Sequence, residues 1–153
     1  MINLVGSFGA KADAKYRIPL PSKLKKQVQS IADEGFILKK SLSQNYLELF
    51  PLSNWNNEAE ELLKLNRFSK KNNDFIRIFM AGVRSVDMDS SGRIQIPKEL
   101  VAYAGIKKDL ILTSAIDRVE IWDKDAYYEF LNNPELNPEE LGNEVMGDKN
   151  PTL

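Results

Sequence analysis

Neither cysteine nor histidine occurs among the 153 residues. Without Cys there are no disulfides, thiolate nucleophiles or zinc ribbons. Without His the chain lacks the commonest general base, the commonest metal ligand and the side chain that titrates near neutrality. An enzyme built on this sequence would have to rely on carboxylates, on Lys, or on a hydroxyl without its usual imidazole partner. No nucleotide-binding Gly loop, metal constellation or catalytic triad is present either, so no enzyme, cofactor, metal site or small-molecule substrate is expected. No apolar run approaches the ~18 residues of a membrane span. The opening Met1-Ile2-Asn3-Leu4-Val5-Gly6 lacks the charged-then-apolar layout of a signal peptide, which leads to the expectation of a cytoplasmic protein.

Hydrophobic residues make up 42% and charged residues 28%, the balance of a soluble globular chain. A chain of about 150 residues buries roughly two thirds of its unfolded surface, enough for one compact domain or two small lobes sharing a core. The net charge of −1 argues by itself against a nucleic-acid binder, but the distribution is uneven. Residues 1–80 carry 13 Lys and Arg against 8 Asp and Glu, whereas residues 81–153 carry 8 against 14. Much of the acidity lies after Asn133, where Glu135, Glu139, Glu140, Glu144 and Asp148 face one base, Lys149. Without that tail the chain is net +3. The whole-chain average therefore hides the sign of the rest.

An internal repeat organises the sequence. The run Asp13-Ala14-Lys15-Tyr16-Arg17-Ile18-Pro19-Leu20-Pro21-Ser22-Lys23-Leu24 aligns with Asp89-Ser90-Ser91-Gly92-Arg93-Ile94-Gln95-Ile96-Pro97-Lys98-Glu99-Leu100 at an offset of 76. Gly6 and Gly82 share that offset. Leu47-Glu48-Leu49-Phe50 aligns with Val119-Glu120-Ile121-Trp122 at an offset of 72, as does Trp55 with Tyr127, so the intervening connection is four residues longer in the first half. Two copies of a unit of about 55 residues are too few for a solenoid and should close into one body.

The unit has the same grammar in both halves. Asp89-Ser90-Ser91-Gly92 is a turn, since Asp and Ser bond their own backbone and Gly accepts positive φ. Residues 79–86 before it and the alternating Arg93-Ile94-Gln95-Ile96 after it are expected to form a hairpin. A short helix over 98–104 should follow, with Pro97 in its first turn and Gly105 beyond its end. Residues 110–113 and 118–122 read as a second hairpin, and Asp123 as the cap of a helix over 124–131. In the first half Ser53 or Asn54 should cap a longer helix to about Asn66, with Trp55, Ala59, Leu62 and Leu63 on one face. The resulting division is a first repeat over 5–55, a helical linker over 56–77, a second repeat over 78–131 and an acidic flexible tail over 132–153.

A strand, then Asp-x-x-Gly-Arg, then Ile-x-Ile-Pro-x-x-Leu, a short helix and a second hairpin resembles the AbrB/SpoVT-type swapped-hairpin barrel. Two such copies in about 150 residues resemble the MraZ family of bacterial regulators. The likeness spans roughly residues 5–131 and includes Tyr103-Ala104-Gly105, the run Asp117 to Trp122, Gly35-Phe36-Ile37-Leu38 and Leu49-Phe50-Pro51-Leu52. The resemblance implies an α+β fold of two tandem AbrB-like barrel repeats in one pseudo-symmetric body with short helices. It also implies a nucleoid-associated, ring-shaped homo-oligomer. This would bind short G-rich direct repeats in double-stranded DNA upstream of its own operon, in the division and cell-wall gene cluster. The Arg of each signature would contact DNA, which carries over to Arg17 and Arg93.

Arg suits that role because its rigid fork of donors fits phosphate oxygens or guanine O6 and N7. Lys15 is expected to add phosphate attraction, and Ser91 or its neighbour Ser90 a hydrogen bond to phosphate. Asp13, Asp89 and Gly92 are expected to shape the turns and orient the Arg side chains. The first signature departs from the pattern, with Tyr16 in place of Gly and Pro19 within the strand, which predicts a different turn shape there. Glu48 and Glu120 fall in outward slots of their strands, favouring solvent exposure or an intersubunit ion pair over acid–base work. Trp55, Trp122 and Tyr127 read as packing or subunit-interface anchors. Lys70-Lys71 and Lys107-Lys108 read as solvated pairs. Two alternatives stand beside the DNA-binding ring: an AbrB-like antitoxin-type dimer with a toxin partner, and a barrel that assembles without DNA.

Overall fold

The computed structural model describes residues 1–147. In chain order the elements are β1 (Ser7–Lys11), β2 (Arg17–Pro19), α1 (Ser22–Val28), a 3-10 helix (Gln29–Glu34), β3 (Phe36–Lys40), β4 (Leu47–Pro51), α2 (Leu52–Leu63), α3 (Lys70–Met80), β5 (Arg84–Val86), β6 (Arg93–Gln95), α4 (Lys98–Ala104), β7 (Asp109–Ser114), β8 (Val119–Asp123), α5 (Lys124–Leu131) and α6 (Pro138–Gly147). The fold is α+β with antiparallel pairing throughout. A six-stranded sheet runs β1-β7-β8-β4-β3-β5, and β2 and β6 form a separate ribbon.

The sheet order is palindromic when the repeats are exchanged. Strand β1 of the first repeat joins β7 of the second, and β5 of the second joins β3 of the first. The registers match as well: Ala10 faces Leu110 as Val86 faces Phe36. Two pairs of equivalent residues face each other at the centre, Ile18 with Ile94 and Glu48 with Glu120. Strand β3 corresponds to β7 at an offset of 74, so the extra four residues of the first half divide in two. Two lie in Gln29–Gly35, which holds the 3-10 helix, and two in the turn over residues 41–46.

The local hairpin expected from residues 79–86 and 93–96 does not form. Phe79 and Met80 end α3, and the short β5 leaves the turn to pair with the longer β3 of the other repeat. Its partner β6 pairs with β2. An isolated two-stranded hairpin is marginal in water, whereas exchange extends a sheet that already has a buried face. The ladder does not close among the described residues: β1 and β5 are edges of an open sheet, so the closed barrel of the expectation is not observed. One core joins both repeats, with Ile18, Leu24, Leu38 and Leu49 of the first packed with Ile94, Leu100, Leu112 and Ile121 of the second.

Several local expectations are met. Gly105 ends α4 in the left-handed region at φ 61°, and the Asp123 side chain accepts from the Ala126 N–H at the start of α5. Helix α2 instead begins after Pro51 without a side-chain cap. Asn54 is buried and serves a distant purpose, with its amide bridging the Ile2 backbone and the Asp117 carbonyl. Leu63, assigned to the apolar face of α2, is 73% exposed. The linker is largely helical through α2 and α3, and α6 occupies residues expected to be irregular, with none of its side chains buried. The last six residues of the acidic tail lie outside the described residues.

The outward slot assigned to Glu48 is in fact covered. All five residues of β4 are buried, because Phe50 and Phe79 pack over the face that alternation assigned to solvent. Glu48 Oε1 accepts from Lys39 Nζ at 3.1 Å and Oε2 from Arg118 Nη1 at 2.8 Å. Lys39, only 2% exposed, also donates to the Lys40 carbonyl and lies 4.3 Å from the Phe79 ring centroid. Burial opposes the Arg118 charge, but hydrogen bonds to Asp117 and Glu48 and their negative charge raise its pKa above the ordinary value. Glu120 accepts from the Trp122 indole N–H at 2.9 Å.

The tryptophans pack inside the subunit. Trp122 stacks on Tyr46 at 4.5 Å and meets Tyr127 and Phe130, while Trp55 meets Phe50 and Phe79. Neither Trp belongs to an exposed apolar surplus. The exposed apolar side chains include Leu63, Phe68, Phe75, Ile78 and Met80, on or between α2 and α3.

Candidate nucleic-acid interface

Each signature loop is folded by its own aspartate. Asp13 Oδ1 accepts the backbone N–H groups of Lys15 and Arg17, both at 2.9 Å, and Oδ2 accepts Arg17 Nε at 2.6 Å. Asp89 repeats the pattern, with Ser91 and Arg93 N–H at 2.9 Å on Oδ1 and Arg93 Nε at 2.9 Å on Oδ2. The backbone closes each turn identically, since Tyr16 N–H donates to the Asp13 carbonyl and Gly92 N–H to the Asp89 carbonyl. A carboxylate that gathers several donors is stabilised in its charged form. Accordingly, both carboxyls lie below the usual Asp range, chiefly through the backbone N–H of Arg17 and of Arg93, with partial desolvation opposing.

Tyr16 does not distort the first loop. It adopts φ 58°, beside φ 76° at Gly92, so both positions are left-handed. That conformation costs a non-Gly residue about 1–2 kcal/mol, and packing of the Tyr16 side chain against the core offsets part of it. The expected difference in turn shape is therefore absent, and Arg17 is held as Arg93 is. Pro19 sits at the exposed end of β2, where its missing N–H disturbs only the margin of a two-stranded ribbon.

Strand exchange brings the loops together. Because β2 pairs with β6, Arg17 lies opposite Gln95 and Pro19 opposite Arg93. Arg93 Nη1 approaches Asp13 Oδ2 at 3.6 Å, so Asp13 touches both arginines. Gln95 Nε2 also donates to the Lys15 carbonyl at 2.5 Å, tying the two loops across the ribbon. Each guanidinium is pinned through Nε, about one-third exposed, and leaves its terminal amino groups largely uncommitted among the described residues. Two planar forks of donors fixed side by side are suited to oxyanions and to the guanine O6/N7 edge.

The remaining expected residues surround this centre. Lys15 is exposed and makes no ion pair among the described residues. Ser91 is exposed, with its N–H committed to Asp89. Lys107 and Lys108 border a cleft with Ala12, Asp13, Ala14 and Tyr16, and the Lys108 carbonyl accepts from the Ala12 N–H at 2.9 Å. Lys70 lies elsewhere, paired with Asp74 on α3. A residue absent from the sequence expectations, Lys25 of α1, reaches the second loop, with its side chain lying over Gly92. The repeat alignment held a signal for it: Lys25 aligns with Val101 as Gly92 aligns with Tyr16, so both members of this contact change together.

A family model described as "MraZ protein, putative antitoxin-like" matches residues 79–144. The transcriptional regulator MraZ of Christiangramia forsetii is 50% identical over 148 residues, which covers 97% of this chain and 96% of its own length. The chain belongs to the MraZ family. The MraZ regulators of Flavobacterium psychrophilum and Bacteroides thetaiotaomicron are 45% and 36% identical, each match covering 98% of this chain and 96% of the relative. MraZ membership places the chain in a family of transcriptional regulators, a non-enzymatic family. No helix among the described residues is long and apolar enough to cross a membrane.

Proposed function

We propose that the chain binds double-stranded DNA sequence-specifically through the paired Arg17 and Arg93 forks and regulates transcription of its own operon, in the division and cell-wall gene cluster. The observation that carries this reading is the convergence of two identically built Asp–Arg loops on one ribbon, their terminal amino groups largely uncommitted among the described residues. The targets proposed are short G-rich direct repeats upstream of that operon. Arg is the side chain best fitted to guanine in the major groove. A ring of several subunits in the cytoplasm, at the nucleoid, would set successive Arg pairs along successive repeats. The exposed apolar side chains Leu63, Phe68 and Ile78 offer surface for self-association. Lys15 and Ser91 take phosphate in this reading.

The test is a gel shift with the chain's own upstream region and a scrambled duplex at two salt concentrations. Arg93→Ala and Arg17→Ala should each abolish the preference for the upstream duplex, at ~1–3 kcal/mol per lost base contact multiplied over the engaged subunits. The two losses should be similar, because the loops hold their arginines alike. Wild-type affinity in a folded Arg93→Ala protein would overturn the assignment.

A further inference from the structure

The two signature loops differ in one contact. A Cβ added at Gly92 would stand 2.5 Å from Lys25 Nζ and 3.1 Å from its Cδ and Cε, so the Lys25 side chain lies directly over the turn. Gly92 is buried while Lys25 itself is exposed. Lys25 belongs to α1 of the first repeat, and the loop it covers belongs to the second. At the symmetry-equivalent place the loop carries Tyr16, whose side chain packs against the core, and the helix carries Val101, 8% exposed. In one loop the turn residue itself supplies the side chain that fills the space; in the other, a lysine from the opposite repeat crosses over.

The exchange has an electrostatic consequence. The first loop carries its own cation, Lys15, at the position where the second has Ser91. Without another contribution the second loop would have one positive charge fewer. Lys25 restores it, with an ammonium beside the Asp89–Arg93 turn and no carboxylate partner among the described residues. A Lys with no carboxylate partner among the described residues, laid over the turn residue that precedes Arg93, is placed to neutralise a phosphate flanking the group that Arg contacts.

We infer that Lys25, laid across Gly92 next to Arg93, is a phosphate-contacting residue of the second DNA-binding loop, contributed in exchange by the first repeat. The inference rests on the DNA-binding reading above. A lysine of this kind adds affinity and salt dependence without choosing between sequences, whereas Arg93 carries the preference. A purely structural Lys25, covering Gly92 with its stem or favouring the C-terminal end of α1, would instead show in stability.

The experiment is a fluorescence-anisotropy titration of the full chain on its upstream duplex and on a scrambled duplex, over a series of salt concentrations. Lys25→Met keeps the stem over Gly92 and removes the charge; Lys25→Arg keeps both. Lys25→Met should weaken binding to both duplexes by the same factor, roughly five- to tenfold per engaged subunit near 0.1 M salt. It should also reduce the slope of log affinity against log salt by about one per engaged subunit, with Lys25→Arg restoring it. Its melting temperature should stay that of the wild type. A wild-type slope in Lys25→Met, with the wild type binding DNA, overturns this inference alone. A reduced slope in Lys25→Arg as well, or a loss confined to the upstream duplex, overturns it too. Absence of salt-sensitive binding by the wild type overturns the DNA reading and this inference with it.

Discussion

Replacing Glu48 by Gln tests the arrangement that strand alternation assigned to solvent. The substitution is nearly isosteric, so packing is kept while the charge is lost. Glu48 uses one oxygen for Lys39 and the other for Arg118. Arg118 would keep Asp117 and Glu58, at 2.8 and 3.2 Å. Lys39 would lose its only counter-ion among the described residues and keep, beside a neutral amide, the Lys40 carbonyl and the Phe79 ring, at 2% exposure. Breaking a buried pair by removing one partner costs about 3–5 kcal/mol. The two contacts left to Lys39 set the expectation near the low end, ~3 kcal/mol. At about 2–4 °C per kcal/mol for a chain of this size, the melting temperature should fall by roughly 6–12 °C. Urea denaturation gives the free energy directly. Adding Lys39→Met should recover most of the loss, because an apolar side chain of similar volume has no charge to leave unpaired. A loss below about 1 kcal/mol, with no recovery in the double variant, would show that the pair is solvated and contradict its burial.

Two further outcomes follow from the signature loops. Gly92→Val should lower stability by at least ~1–2 kcal/mol, because a β-branched residue is forced to φ 76°. The clash with the mobile end of Lys25 is relieved by its moving aside. An unchanged melting temperature would show that Gly92 is not left-handed. Asp13 and Asp89 have depressed pKa values in the folded state, so their contribution to stability is present above the ordinary Asp range and is lost as pH falls through their folded values. The double variant Asp13→Asn with Asp89→Asn should therefore show a flatter acid limb below about pH 4 in melting curves. Parallel wild-type and variant limbs would contradict that origin.

Whatever depends on neighbours along the chain follows from residue types alone. The Asp-x-x-x-Arg turns, the Gly105 end of α4 and the Asp123 cap of α5 are closed by bonds spanning only a few residues, so their residue types sufficed. The repeat was legible for the same reason, since duplication preserves local grammar; the α+β class and the choice of Arg17 and Arg93 came from the family resemblance that the repeated motifs carry. Tertiary structure alone decided which strands pair, because the pairing free energy of β5 and β1 comes from the core of the opposite repeat and not from the adjoining strand. It also reversed the environment of Glu48. Alternation places that side chain on the outer face, but whether the face is wet depends on Phe50 and on Phe79 of α3, far along the chain. Lys25 was missed on the same ground: its position over Gly92 spans the two repeats, so the paired departures in the repeat alignment mark it and no period along a single strand or helix does.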